Sequence, residues 1–557
     1  MSGGTRTEIW LRRLGSSNPV WLREMKQSAR LTRTPVILAT ITVLTTLLIC
    51  TVGGIAASSL EPATVGSVVY QVFFSLAFGV VSWLGPGVGA LTIASEKSGH
   101  TWEALLLTSL SPRRIARGKF AAAYSYVAMY IVMLAPVGAL PFLFGGVNAA
   151  EVLLGYALLF AFAAVAIGFG LSVSSAISSP IVAMLITVPV AVAISITAYL
   201  GLGLALSFGA NNLWPGVETA PVWLPSAYTR AEFDWIYVLC LLYTVPVLLG
   251  ISSWYFYEVT AANLGQENDD RTTGLRKWFL VSAALLLPVF LLPRALVRDR
   301  DQFIATSLLA MLAVFQFALL ALLLFARDQP TAHARVLARL QREGASPFRR
   351  FLSPGITKSG VMVVAYAGLA LGGLLVAGLV EEHRNAALVG RLVQEGASAL
   401  FITAGYGFAF VVFCAGFLVF VRSRAVELQT PRILLVVLLF AATAGPWIVM
   451  AIGGAIADDS SSALWLAAPS PVFIAVVVGM LLGPASAGSE HATLIIAATA
   501  AACTYLTVGT SLFLRGYVVL RRKAAGLRAR VSVATDATSS EPAPDVVLPT
   551  APSSPEV

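Results

Sequence analysis

The stretch Pro35-Val-Ile-Leu-Ala-Thr-Ile-Thr-Val-Leu-Thr-Thr-Leu-Leu-Ile-Cys-Thr-Val-Gly-Gly-Ile-Ala-Ala57 contains no charged residue. At a rise of about 1.5 Å per residue, a helix of this length crosses a hydrocarbon core of roughly 30 Å. Comparable apolar runs recur almost to Arg515. The whole chain of 557 residues is 57% hydrophobic and 12% charged, with a mean hydropathy of +0.82. An ordinary globular chain carries roughly 25% charged residues, so a soluble fold has too few charges to cover this apolar surface. The runs are too long and too uniformly apolar for alternating barrel strands, and helices satisfy their own backbone groups in hydrocarbon. The expected fold class is an all-α polytopic membrane protein.

The formal charge of +9 does not point to nucleic acid, because the basic residues lie in short hydrophilic connections that set topology. Cys50, Cys240, Cys414 and Cys503 all fall in apolar runs without metal-ligand spacing and read as small buried hydrophobes. Residues 1–34 are polar and basic, and the first apolar run is long enough to serve as its own insertion signal.

Before that run, Asn18 can cap a helix with Pro19 at its first position. Arg23, Lys26, Arg30 and Arg33 then recur at spacings of three and four, with Leu22, Met25 and Ala29 on another face. The pattern is a basic amphipathic helix suited to an anionic membrane surface, or a solvated tail that only orients the chain.

Spans are expected near 35–57, 67–94, 119–144, 151–176, 180–207 and 235–258. A linker at 261–276 follows, and then runs near 277–297, 303–326, 359–380, 399–421, 432–456, 466–484 and 492–514. Counting every run would put Arg515, Arg521, Arg522, Lys523, Arg528 and Arg530 on the outer side, against the positive-inside rule. The segment 466–484 carries Pro469, Pro471, Gly479, Gly483 and Pro484 after Asp458-Asp459, and is read as re-entrant. Twelve spans remain, as two pseudo-repeated six-helix units at 35–260 and 277–530 with both termini cytoplasmic. The long connection 95–118 then matches 327–358. Arg294, Arg298 and Arg300 disagree with this topology. The sequence 531–557, rich in Ser, Thr, Ala, Pro and acid, is expected to be a disordered tail.

Ionisable groups are scarce within the runs. Glu96, Glu151, Glu258 and Glu427 lie at run ends, where snorkelling to water is expected, and His100, His333, His383 and His491 lie in connections. No metal spacing and no phosphate-binding Gly-x-x-x-x-Gly-Lys-Ser/Thr loop occurs, so neither a metal site nor a cofactor is assigned to this chain.

The informative connection is Ser95-Glu96-Lys97-Ser98-Gly99-His100-Thr101-Trp102-Glu103-Ala104-Leu105-Leu106-Leu107-Thr108-Ser109-Leu110-Ser111-Pro112-Arg113-Arg114, continuing to Gly118-Lys119. Gly99 allows a turn, Thr101 starts a short helix, and Trp102, Leu105, Leu106 and Ser109 share one face. That stripe needs a cover, for which the bilayer surface, the helix bundle and a partner protein are the candidates.

On Glu96, Gly99, Glu103, Leu106, Leu107, Thr108, Ser111, Pro112, Arg113, Gly118 and Lys119 the chain resembles the permease subunits of type-two ABC exporters. His100 stands where that family commonly has threonine. The resemblance covers about 18–260; in 277–530 only Ser346-Pro347, Arg349 and Arg350 echo the loop. It implies transport driven by a separate ATP-binding subunit, in two copies, with ATP held on that partner and none on this chain. It also implies a place in a bacterial cytoplasmic membrane. The coupling residues it implies are Glu96, Gly99, Trp102, Glu103, Leu105, Leu106, Arg113, Arg114 and Lys119, with the apolar ones supplying affinity and the charged ones orientation. The alternatives are a secondary transporter or flippase, or a membrane scaffold or assembly protein. The spans select no substrate among lipids, peptides and hydrophobic drugs.

Overall fold

The computed structural model describes residues 18–540 except 31–32, 60–61, 108–109, 214–234, 266–270, 298–299, 390–392, 458–462, 483–488, 426, 428 and scattered positions within 334–345. The described chain is helical and contains no strand. Helix α1 (Pro19–Arg30) precedes α2 (Arg33–Ser59), α3 (Pro62–Ser98), the short α4 (Thr101–Leu107) and α5 (Pro112–Met133). Two short pieces, α6 (Ala135–Gly138) and α7 (Leu140–Phe144), lead to α8 (Ala149–Ala176), α9 (Pro180–Leu213), α10 (Trp235–Leu264), α11 (Thr273–Leu296) and α12 (Arg300–Phe325). The remainder is α13 (Pro347–Phe351), α14 (Ile356–Val389), α15 (Val393–Arg424), α16 (Thr430–Ala457), a 3-10 turn at Leu464–Ala467, α17 (Phe473–Leu482) and α18 (Ser489–Ser540).

Eleven described helices are long and apolar enough to cross a bilayer, and a twelfth span results if the bent pair Pro112–Met133 and Ala135–Phe142 counts as one. The protein is a polytopic helical membrane protein. The bend of 47° falls where Pro136 and Pro141 remove backbone donors, so the run 119–144 is broken, not straight. Among its described residues, segment 466–484 holds the end of the 3-10 turn and the ten-residue α17, about 15 Å of α-helix, which is half of a hydrocarbon core.

Three expectations need correction. Helix continues to Ser540, past Arg530, because no proline interrupts the chain before Pro542; residues 541–557, and 266–270 of the expected linker, lie outside the described part. Cys240 and Cys414 are buried but Cys50 and Cys503 are exposed, since their helices present those faces outward. The ends of the apolar runs also bury charge: Glu96, Lys119, Glu258, Arg276, Asp328, Glu382 and Arg422 are all buried.

By packing, the described chain divides into two compact units. One runs from α1 to Gln316 and adds Leu369–Thr403; the other comprises Phe317–Gly368 and the chain from Ala404 onward. The first unit is built on Phe73, Val81, Tyr130, Ile131, Leu159 and Ile167, contributed by α3, α5 and α8. Helix α11 belongs to it, held by Trp278 Nε1 donating to the Ile251 carbonyl at 2.9 Å. The second unit buries Val363, Phe410, Cys414 and Leu418. There Tyr406 donates to the Ala468 carbonyl at 2.9 Å, tying the 3-10 turn region to α15.

Candidate partner-coupling site

The connection 95–119 is rooted by an ion cluster. Ser111 is extended (φ −66°, ψ 147°) and Pro112 occupies the first turn, so α5 starts at Pro112 and carries Lys119 about two turns inside. Lys119 is 1% exposed; its Nζ lies 2.7 Å from Glu24 Oε1 and 2.8 Å from Glu96 Oε1. Arg23 reaches the same Glu96 oxygen at 2.6 Å. Two cations thus meet two carboxylates, which makes the cluster neutral. Burying a lone charge costs several kcal/mol, and removing one partner from such a cluster typically costs about 3–5 kcal/mol. Glu96 therefore does not snorkel: Lys119 and Arg23 make burial cheaper than reaching water.

Helix α1 docks here through shape as well as charge. Asn18 Oδ1 accepts from the Val20 backbone N–H at 3.2 Å, and its Nδ2 donates to the Arg114 carbonyl at 2.9 Å. Trp21 Nε1 donates to Ser125 Oγ at 3.2 Å. A Cβ on Gly118 would lie 2.6 Å from Asn18 Oδ1 and 2.8 Å from Val20 Cβ. The Gly118-Lys119 pair therefore does two jobs: glycine admits α1, and lysine fixes it. Arg23 pairs with Glu96 while its side chain stays about half exposed, so this part of the basic face is anchored to the bundle at its edge.

The turn into α4 falls on His100, not on Gly99: His100 has φ 55°, whereas Gly99 has no positive φ. Asn, Asp and His tolerate this left-handed region better than most non-glycine residues. Lys97 donates to the Ser175 carbonyl at 2.6 Å, satisfying an orphan acceptor at the end of α8. Its Nζ also sits 6.0 Å from the centre of the Trp102 ring. Leu105 is 6% exposed and packs with Ile93, Ile115, Leu171, Ala261 and Leu264, with Trp102 against the rim. The cover of the apolar stripe is thus this chain's own bundle. Glu103 and Ala104 face outward and Leu107 is 89% exposed; the Leu106 side chain lies outside the described part.

The arginines after α4 divide in role. Arg113 remains half exposed while its guanidinium meets Glu258 Oε2 at 3.2 Å. Trp254 Nε1 donates to the other Glu258 oxygen at 3.2 Å, and Tyr257 donates to the Arg113 carbonyl at 3.2 Å. Glu258 is consequently buried by its partners instead of snorkelling. Arg114 is exposed and gives its carbonyl to Asn18. Glu151, expected at a run end, lies there and completes a capping box with Asn148 at the start of α8.

The structure thus gathers Glu96, Lys119, Arg113, Leu105 and Trp102 into the root of the connection and leaves Glu103 and Arg114 on its outer face. Gly99 is exposed beside the turn. Sequence reasoning missed Glu24 and Glu258 as partners. The visible signal for Glu24 was one acid inside an otherwise basic helix; for Glu258 no local pattern exists, since it is far from Arg113 in sequence. Among the described residues no three His, Cys, Asp or Glu side chains converge on a metal-sized site.

The helices and this charge-clamped connection define a polytopic membrane protein whose first long connection carries a short helix rooted in its own bundle. No protein-family model, no curated protein and no solved structure matches the chain.

Proposed function

We propose that the chain is the permease subunit of an ATP-driven exporter, moved by a separate ATP-binding subunit of the ABC type, with two copies of that subunit per transporter. In this reading it holds no cofactor, performs no catalysis, and sits in a bacterial cytoplasmic membrane with both termini on the cytoplasmic side. The observation that carries it is α4: a helix pinned on one side by Leu105 and Trp102, with Glu103 and Leu107 left outward. An outward leucine and carboxylate on a loop of this kind suit a partner cleft, since an apolar anchor supplies affinity and a charge supplies register.

Rigid rooting is what transmission of force needs. A push on α4 passes through Leu105 to α3, α8 and α10, and through Arg113 to Glu258. The Lys119 cluster makes α1 follow the same motion. In this reading Trp102 and Leu105, which pack on the chain's own bundle, no longer supply affinity for a partner and exposed Leu107 does, while Glu103 keeps its orienting role.

The test is copurification with candidate ABC ATPases encoded alongside the protein, combined with ATP hydrolysis. Association that weakens on Glu103→Lys and Leu107→Asp, with hydrolysis uncoupled from the membrane chain, supports the reading. No association with any ATPase, or transport that stops with a proton ionophore but survives ATPase inactivation, sinks it in favour of a secondary transporter.

A further inference from the structure

The first unit holds a cavity of about 650 Å³ between α3, α8, α9 and α10. Its walls are Phe74, Phe78, Phe162, Phe169 and Phe256 with leucine, valine and alanine; Ser195, Tyr199 and Ser252 are the polar side chains that line it. Tyr199 is already engaged by Ser75 at 3.0 Å. Among the described residues, no aspartate, glutamate, lysine, arginine or histidine lines it.

Its shape follows from which residues line it. Along α8 the lining runs from Gly155 to Phe169, and along α10 from Val245 to Phe256. At 1.5 Å per residue these stretches are about 21 Å and about 17 Å long, so the cavity is a slot parallel to the helices. One leaflet of hydrocarbon is about 15 Å thick, half of a roughly 30 Å core. The slot opens sideways: Ile194, Leu200 and Leu204 line it and are also 58%, 57% and 72% exposed on the outer face of α9. In a membrane protein that face meets lipid.

We infer that this slot holds one acyl chain of a membrane lipid, entering laterally beside α9 while the headgroup stays outside. Length selects a chain over a compact solute, the lack of charge excludes a headgroup inside, and the lateral mouth supplies lipid directly. The volume lies within the roughly 300–1,000 Å³ of typical ligand pockets.

The test uses the full chain reconstituted in phosphatidylcholine vesicles containing a trace of phosphatidylcholine with a diazirine near its acyl terminus. After irradiation, labelled peptides are mapped by mass spectrometry. Labelling is expected to concentrate on Phe78, Phe162 and Phe169, above the level on the exposed Phe440 of α16. Ser195→Phe, which places an aromatic ring in the lumen and narrows the slot, should reduce slot labelling relative to the wild-type chain. Ile196→Phe, on the exposed face of α9 and off the slot, should leave it unchanged. Equal labelling of slot and Phe440 in the wild-type chain overturns the inference whether or not the variant folds. So does undiminished labelling in folded Ser195→Phe. Slot labelling that vanishes as the protein-to-lipid ratio rises, while labelling at Phe440 persists, would mean that a second copy fills the slot, and also overturns it.

Discussion

The two long connections, 95–119 after α3 and 327–358 after α12, are rooted alike and tipped differently. Each root buries an acid as the preceding helix ends. In the first it is Glu96, answered by Lys119, Arg23 and, through Lys119, Glu24. In the second it is Asp328, whose Oδ2 accepts from the Ser359 hydroxyl at 2.8 Å and the Gly355 N–H at 3.4 Å. Arg422 Nε donates to the Asp328 carbonyl at 3.0 Å. The tips diverge: α4 buries Leu105 and presents an acid, whereas α13 buries nothing and presents Arg349, Arg350 and Phe348, with Arg349 paired to Glu343 at 2.7 Å. The comparison teaches that a closed root is a shared solution to ending a span, while among the described residues the first short helix buries a leucine within itself and the second is followed by the buried Leu352.

The largest effect that would break this contrast is expected at the first root. Lys119→Met leaves buried Glu96 with Arg23 alone and half-buried Glu24 without the cation they shared, and should lower stability by about 3–5 kcal/mol, read as a fall in thermal midpoint in detergent. Asp328→Asn keeps an acceptor for Ser359 or Gly355, and should cost less, about 1–3 kcal/mol. Equal losses would mean that the Lys119 cluster is no tighter than its counterpart. Next in size is Gly118→Ala: its methyl must displace Asn18 and Val20, costing about 1–3 kcal/mol and raising protease access to α1.

Smaller effects sharpen the difference between the tips. Glu103→Lys and Arg350→Glu both alter exposed charges, and each should change stability by less than about 0.5 kcal/mol. Only the first should reduce partner-dependent transport. Smallest of all, His100→Gly relieves a left-handed residue at the entry to α4 and should stabilise by up to about 1 kcal/mol. A loss of stability there would show that the imidazole itself holds the turn.

The spans were legible because apolar runs of one bilayer's length leave few alternatives, as Pro35–Ala57 illustrates. The start of α5 was also written in Ser111-Pro112, an extended residue followed by a first-turn proline, but hydropathy alone moved it to Lys119. That shift hid the cluster, since a lysine at a span end reads as a water-facing one. The break in the third span was marked by Pro136 and Pro141. The cover of the Leu105 stripe was not legible, because it depends on Leu171, Ala261 and Leu264, which come from distant helices with no pattern linking them to the loop. For the same reason Arg113 and Glu258 give no sign of each other in one sequence.

The central claim is that α4 meets an ATP-binding partner through its outward face. A photo-reactive amino acid placed at Leu107 in the full chain, irradiated in intact membranes, tests it most directly. The account predicts a cross-link to an ABC ATPase subunit that disappears when Glu103→Lys is added. Cross-links from this position to lipid alone, or to the chain's own helices, would contradict it.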